Sequence, residues 1–224
     1  MNRSAVKLFC AIVLGPFLHN LASSEQPRSA DHSSDDDSLP RVLLIGDSIS
    51  IGYTQIVRSE LSGKAQVFRI PTNGGPTTRG LESLDKWLGD GKWDAIHFNW
   101  GLHDLKFIEG ERQGPLDQYE KNLRTLVARL KRTEAALMWC STTPVPLGVK
   151  PHRTNEDVLA YNAVAKQIMV DNEIVINDLY AFAKPKLKDI QRPNNVHFSQ
   201  LGSTVLGKEV AIRISEMLAA SQRP

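Results

Sequence analysis

Residues Arg41 to Ser50 read RVLLIGDSIS. An unbroken apolar run ends at Gly46 and passes at once into small polar residues, the pattern of a short strand buried on both faces and followed by a turn. A helix-like stretch, Gln55 to Leu61, comes next. The same alternation then repeats along the chain. Ala65 to Ile70 (AQVFRI) predicts a second strand, a turn-rich PTNGGP follows, and Leu81, Leu84 and Leu88 mark a helix. Trp93 to Trp100 (WDAIHFNW) predicts a third strand, before a helix with Leu116, Tyr119, Leu123, Leu126 and Leu130 on one face. Ala136 to Cys140 and Glu173 to Asn177 predict the fourth and fifth.

Between those last two strands, Thr154 and Asp157 stand at capping-box spacing ahead of Val158, Ala165 and Ile168. Ser199 can cap a final helix carrying Leu201, Val205, Val210, Ile214 and Met217. Strands and helices in strict alternation predict an α/β fold, a parallel sheet with helices on both faces. Ligands of such sheets bind beyond the carboxyl ends of the strands. The informative residues are therefore those just after each strand.

Upstream, Met1 to Ser24 has a basic start (Arg3, Lys7), an apolar run from Leu8 to Leu18 and small residues at Ala22 to Ser24. That is the pattern of a secretory signal peptide. The run is interrupted by Gly15 and Pro16 and falls short of the roughly 20 residues that span a bilayer. Glu25 to Leu39 is rich in Ser and Asp and nearly free of large apolar side chains, which predicts a flexible polar linker. Asp35 to Asp37 lack the ligand spacing of a calcium loop. The remainder, residues 40–224, has the size of one domain. The expected location is secreted or periplasmic. Cleavage near Ser24 would remove Cys10 and leave Cys140 alone, with no intrachain disulfide to form.

The net charge of +2 rests on Arg3 and Lys7; without them 25 basic residues balance 25 acidic ones. No basic block points to a nucleic-acid partner.

Four segments fall on the expected ligand edge. GDSIS places Ser48 at the turn into a helix, where a serine serves as a nucleophile or as an ordinary N-cap. NGGPTT supplies Gly74 and Gly75, whose amides can approach a ligand closely or simply make a tight turn. NWGLHDL carries Asn99, His103 and Asp104, and the His103 ring N–H could face an oxyanion. PNNVHFSQLG carries His197, a candidate base. His97 and His103 have no third metal ligand at sensible spacing, so no metal is expected.

Taken together these segments resemble the SGNH or GDSL hydrolases, a serine-esterase family, from Arg41 to Ala220. The resemblance implies a flavodoxin-like three-layer α/β/α sandwich with a five-stranded parallel sheet. It also implies Ser48 as nucleophile and as a backbone donor to the oxyanion hole. The Gly-x-Thr-Thr spacing favours Gly75 as a second donor. The family's Gly-x-Asn-Asp is written GLHD here, which puts His103 at the oxyanion asparagine, with Asn99 a fallback donor. Its Asp-x-x-His is written NNVH, which puts Asn194 at the aspartate and His197 at the base.

Loss of that carboxylate matters, because it removes a charge that would stabilise the imidazolium. In serine proteases the same acid-to-amide change costs roughly 10⁴ in turnover. An amide oxygen can still orient the ring, and a backbone carbonyl or Asp178 are alternatives. The implied function is hydrolysis of short O-acyl esters, acetyl groups on carbohydrate among them, without a cofactor. Its small-molecule or glycan substrate could stack on Trp100 or Trp139, if these are not core residues. The alternative is a non-catalytic binding protein that kept the fold.

Overall fold

The computed structural model describes residues 38–221. The expected signal peptide, most of the polar linker and the Asp35 to Asp37 run lie outside the described residues.

Strands β1 (Arg41–Ile45), β2 (Gln66–Arg69), β3 (Ala95–Phe98), β6 (Ala136–Cys140) and β7 (Val175–Asn177) form a parallel sheet in the order β2-β1-β3-β6-β7. This is the flavodoxin-like order. The central strands are apolar without alternation because both faces are covered: Val42, Leu44, Ala95, Ile96 and Phe98 are fully buried. Register is tight, with Val42 opposite both Val67 and Ala95, and Ala95 opposite Ala136.

Helices α1 (Ser48–Glu60) and α7 (Gln200–Ser221) pack on each other on one side. On the other, α2 (Thr77–Leu88), α3 (Leu116–Lys131) and α4 (Asn155–Asp171) pack in succession. Thr154 caps α4 by accepting from the Asp157 amide. The reciprocal half of the expected capping box is absent, since Asp157 Oδ1 instead pairs with Arg112 at 2.7 Å. That pair fastens a small hairpin, β4 (Phe107–Ile108) and β5 (Glu111–Arg112), to α4. Short helices α5 (Leu179–Ala183) and α6 (Leu187–Ile190) lead to the His197 loop.

One departure from expectation concerns this framework, and one open alternative is decided. Helix α1 begins at Ser48, a full turn and more before Gln55, because Asp47 caps it by accepting from the Ile49 amide at 2.9 Å. Trp100 and Trp139 are each 1% exposed and belong to the core, so neither presents a face to a sugar.

The α1/α7 contact matters for function because Ser48 opens one helix and His197 lies just before the other. The helices approach closely through glycine. A Cβ on Gly207 would lie 2.6 Å from Ile56 Cβ and 3.1 Å from the Tyr53 carbonyl oxygen, closer than packed atoms tolerate. Gly207→Ala should therefore overpack this interface and lower the unfolding free energy by about 1–3 kcal/mol. A urea titration checks it; an unchanged midpoint with unchanged slope would mean that the helices are not in such close contact.

Candidate active site

The turn from β1 into α1 is held from several directions. Ser48 is the first helical residue, so its amide is one of the orphan donors of the helix N-terminus. Behind it, the Arg69 guanidinium donates to the carbonyls of Gly46 (3.0 Å), Asp47 (3.3 Å), Ile70 (2.7 Å) and Thr72 (3.0 Å), and also to Ser50 Oγ at 3.3 Å. One half-buried cation thus ties the turn from β1 into α1 to the loop after β2.

That loop presses directly on the turn. Gly74 donates to the Gly46 carbonyl at 3.0 Å, and a Cβ on Gly74 would lie 2.9 Å from the same oxygen, so only glycine fits. Gly75, with φ +60°, donates its amide to Asn73 Oδ1 at 2.9 Å. The expected oxyanion donor is therefore already engaged, and it can serve an oxyanion only if Asn73 gives way.

Asp104 joins the next segment to this one. Buried, its carboxylate accepts from the Thr77 amide at 2.9 Å and from the Thr77 hydroxyl, at the N-terminus of α2. Burial pushes its carboxyl up to about 6, against the pull of the Thr77 bonds. Its neighbour His103 is partly buried, and its ring makes no hydrogen bond among the described residues. Burial first, then the nearby Lys106, Arg153 and Arg79, lower the His103 pKa against an opposing effect of Asp47. A neutral ring with a free N–H results at pH 7, as an oxyanion donor requires.

The fallback donor Asn99 is committed elsewhere: its Nδ2 donates to the Cys140 carbonyl at 2.7 Å and to Thr142 Oγ1 at 3.2 Å. His97 is a core histidine, pushed down to about 4 by burial and 3.4 Å from Asn177 Nδ2.

His197 stands in a loop closed by the Gln191–Phe198 bridge and by the Arg192 amide donating to the His197 carbonyl at 3.0 Å. Its Nε2 lies 2.8 Å from Ser48 Oγ. Its Nδ1 lies 2.7 Å from Asn195 Oδ1, which also accepts from the His197 amide at 2.9 Å. An amide oxygen can only accept, so Nδ1 carries the proton and Nε2 presents its lone pair to Ser48.

The orienting contact expected of Asn194 is thus made by Asn195. Asn194 is exposed, at φ +50°, and shapes the turn. Asp178 does not take the role either: its carboxylate accepts from Ser141 Oγ (2.9 Å) and caps α5 through the Ala181 amide (3.0 Å). A signal for Asn195 was present in the sequence, since Asn side chains commonly accept from the backbone amide two residues on. Asn73, which accepts from the Gly75 amide two residues on, carries the same signal, whereas Arg69 carries none.

The comparisons agree with this architecture. No family model matches the sequence, and no curated protein does. Among solved structures, a lipase/acylhydrolase from Enterococcus faecalis superposes with a TM-score of 0.70 at 21% identity, over 80% of this chain and 96% of that one. The fold is that of the SGNH/GDSL hydrolases. An acetylxylan esterase from Geobacillus stearothermophilus gives 0.67 at 20% identity, over 78% of this chain and 94% of its own. A GDSL-like protein from Parabacteroides merdae gives 0.69 at 12%, over 80% and 96% respectively.

Placing a carboxylate where Asn195 now stands would favour the imidazolium. Asn195→Asp should raise the His197 pKa and, because the base must be neutral, move the acid limb of the kcat/KM profile up by about one pH unit or more, with higher turnover on the plateau. Asn194→Gly, which suits the positive φ, should stay within about two-fold of the parent. A pH–rate profile on each variant checks both; an unmoved limb in Asn195→Asp, or a large loss in Asn194→Gly, would reverse the assignment.

Proposed function

We propose that the protein is a secreted or periplasmic serine esterase that hydrolyses short O-acyl esters. The observation that carries the reading is the contact line from Asn195 Oδ1 through His197 to Ser48 Oγ. His197 Nε2 takes the Ser48 proton as the hydroxyl attacks the ester carbonyl, and Asn195 holds the ring by a neutral hydrogen bond. The oxyanion is met by the Ser48 amide at the N-terminus of α1 and by the neutral His103 ring, with Gly75 joining once Asn73 moves. His197 then hands the proton to the departing alcohol, and water enters by the same route to release the acyl group from Ser48.

The cleft beside Ser48 and His197 supports a small substrate. It encloses about 210 Å³, with Ile49, Ile51, Phe198 and Leu206 among its walls. That is less than the usual range for sites that take drug-sized ligands. An ester-bearing carbohydrate fits the reading as well, and one structural neighbour is an acetylxylan esterase. The alternative, a binding protein that has lost catalysis, draws on the uncharged Asn195 and the engaged Gly75 amide.

Hydrolysis of a p-nitrophenyl ester series from acetate to octanoate, by the parent and by Ser48→Ala, separates the two. The esterase reading expects acetate or butyrate to be the best substrate and a loss of at least about 10³-fold in Ser48→Ala. Equal rates in parent and variant, or none in either, would favour the binding protein.

A further inference from the structure

The cleft next to Ser48 and His197 has one charged wall. Arg192 lines it, none of its other lining residues is charged, and the remaining wall is largely apolar. The Arg192 side chain is exposed and makes no hydrogen bond or ion pair among the described residues; its backbone amide donates to the His197 carbonyl and its carbonyl accepts from the Asn195 amide. Three exposed arginines away from the site are ion-paired among the described residues, whereas Arg132, beyond the end of α3, is not. Arg112 pairs with Asp157, Arg124 with Glu120 and Arg213 with Glu209.

The same contrast holds around the rest of the catalytic edge. Arg79 lies against Gly75, its Cζ 3.5 Å from where a Cβ would stand, and donates only to the Asn73 carbonyl. Arg153 donates to the Leu102 and Pro151 carbonyls. Lys106 has its pKa lowered by burial and then by Arg153 and Arg79, so these cations share one neighbourhood. None of them has a carboxylate partner within ion-pair distance among the described residues. Around them the carboxylates of Asp47 and Asp104 are buried and committed to the N-termini of α1 and α2. A positive field therefore faces the site although the chain as a whole is nearly neutral.

The chemistry says which half of a substrate meets Arg192. His197 must deliver its proton to the departing alcohol, so the alcohol half lies on the His197 side of Ser48, the side that Arg192 lines. We propose that Arg192 is a specificity-determining residue that binds a carboxylate on the alcohol half of the ester, so that the preferred substrate is a short O-acyl ester of an acidic alcohol such as a sugar acid. The planar guanidinium suits a carboxylate bidentately. The proposal rests on the esterase reading above.

The test compares two acetate esters of nearly equal shape, 4-acetoxybenzoate and the neutral 4-acetoxybenzamide. The ratio of their kcat/KM values is measured for the parent, Arg192→Gln, Arg192→Lys, Ser48→Ala and Arg132→Gln, the last at the far end of the strands. The parent should favour the anionic ester by about ten-fold or more at low salt. Roughly 0.5 M salt should shrink that preference, a readout that needs no variant. Arg192→Gln should bring the ratio to within about two-fold of unity, Arg192→Lys should keep part of it, and Arg132→Gln should leave both rates unchanged.

Hydrolysis that depends on Ser48 but shows no preference for the anion, or a preference that survives intact in Arg192→Gln, would overturn the assignment of Arg192 and leave the esterase standing. No hydrolysis dependent on Ser48 with either ester would overturn both.

Discussion

A histidine can act as a base toward a hydroxyl only if the nitrogen facing that hydroxyl carries a lone pair. In this protein the condition is met by one atom, Asn195 Oδ1, which accepts from both the amide and the ring of His197. The backbone bond fixes the side chain of Asn195 in place, and the ring bond fixes the tautomer. No negative charge is involved, so on the proposed mechanism an imidazolium would gain orientation without the full electrostatic support that a carboxylate gives. The consequence is a ring whose position is well determined.

The rest of the framework brings Ser48 to His197. The parallel sheet places its loops at one edge, and the glycine-mediated contact of α1 with α7 sets the distance between the two residues. Arg69 and Asp104 then tie neighbouring loops together, one through carbonyl oxygens and one through the N-terminus of α2. A charge that would be costly if left unpaired in a partly buried site is used here as a hub of hydrogen bonds. These ties preorganise donors at the site, which is where electrostatic catalysis gains most.

Much of this was legible in the sequence. The apolar runs at Arg41, Ala65, Trp93, Ala136 and Glu173 marked the sheet because strands covered on both faces need no alternation. Ser48 and His103 follow strand ends for the same topological reason, whereas His197 comes after two short helices. What escaped notice had a physical cause in each case. The start of α1 was obscured because Gly52 and β-branched Ile49 and Ile51 weaken the helical signal, which packing against α7 restores. The β4–β5 hairpin and helices α5 and α6 are too short to show a period. Family spacing points to Asn194, whereas the local preference of asparagine for the amide two residues on points to Asn195. Trp100 and Trp139 are core residues, one of the two readings open to them, and Trp100 fills the volume left by Gly80 of α2.

The central claim is that Ser48 is activated by a histidine held by an uncharged amide. Intact-mass analysis after exposure to a fluorophosphonate tests it without any assumption about substrate, because such reagents modify serines that a base has made nucleophilic. The account predicts a single adduct on Ser48 in the parent, and none in His197→Ala. An adduct formed equally well in His197→Ala, or a parent that takes up no label under conditions where the protein is folded, would contradict it.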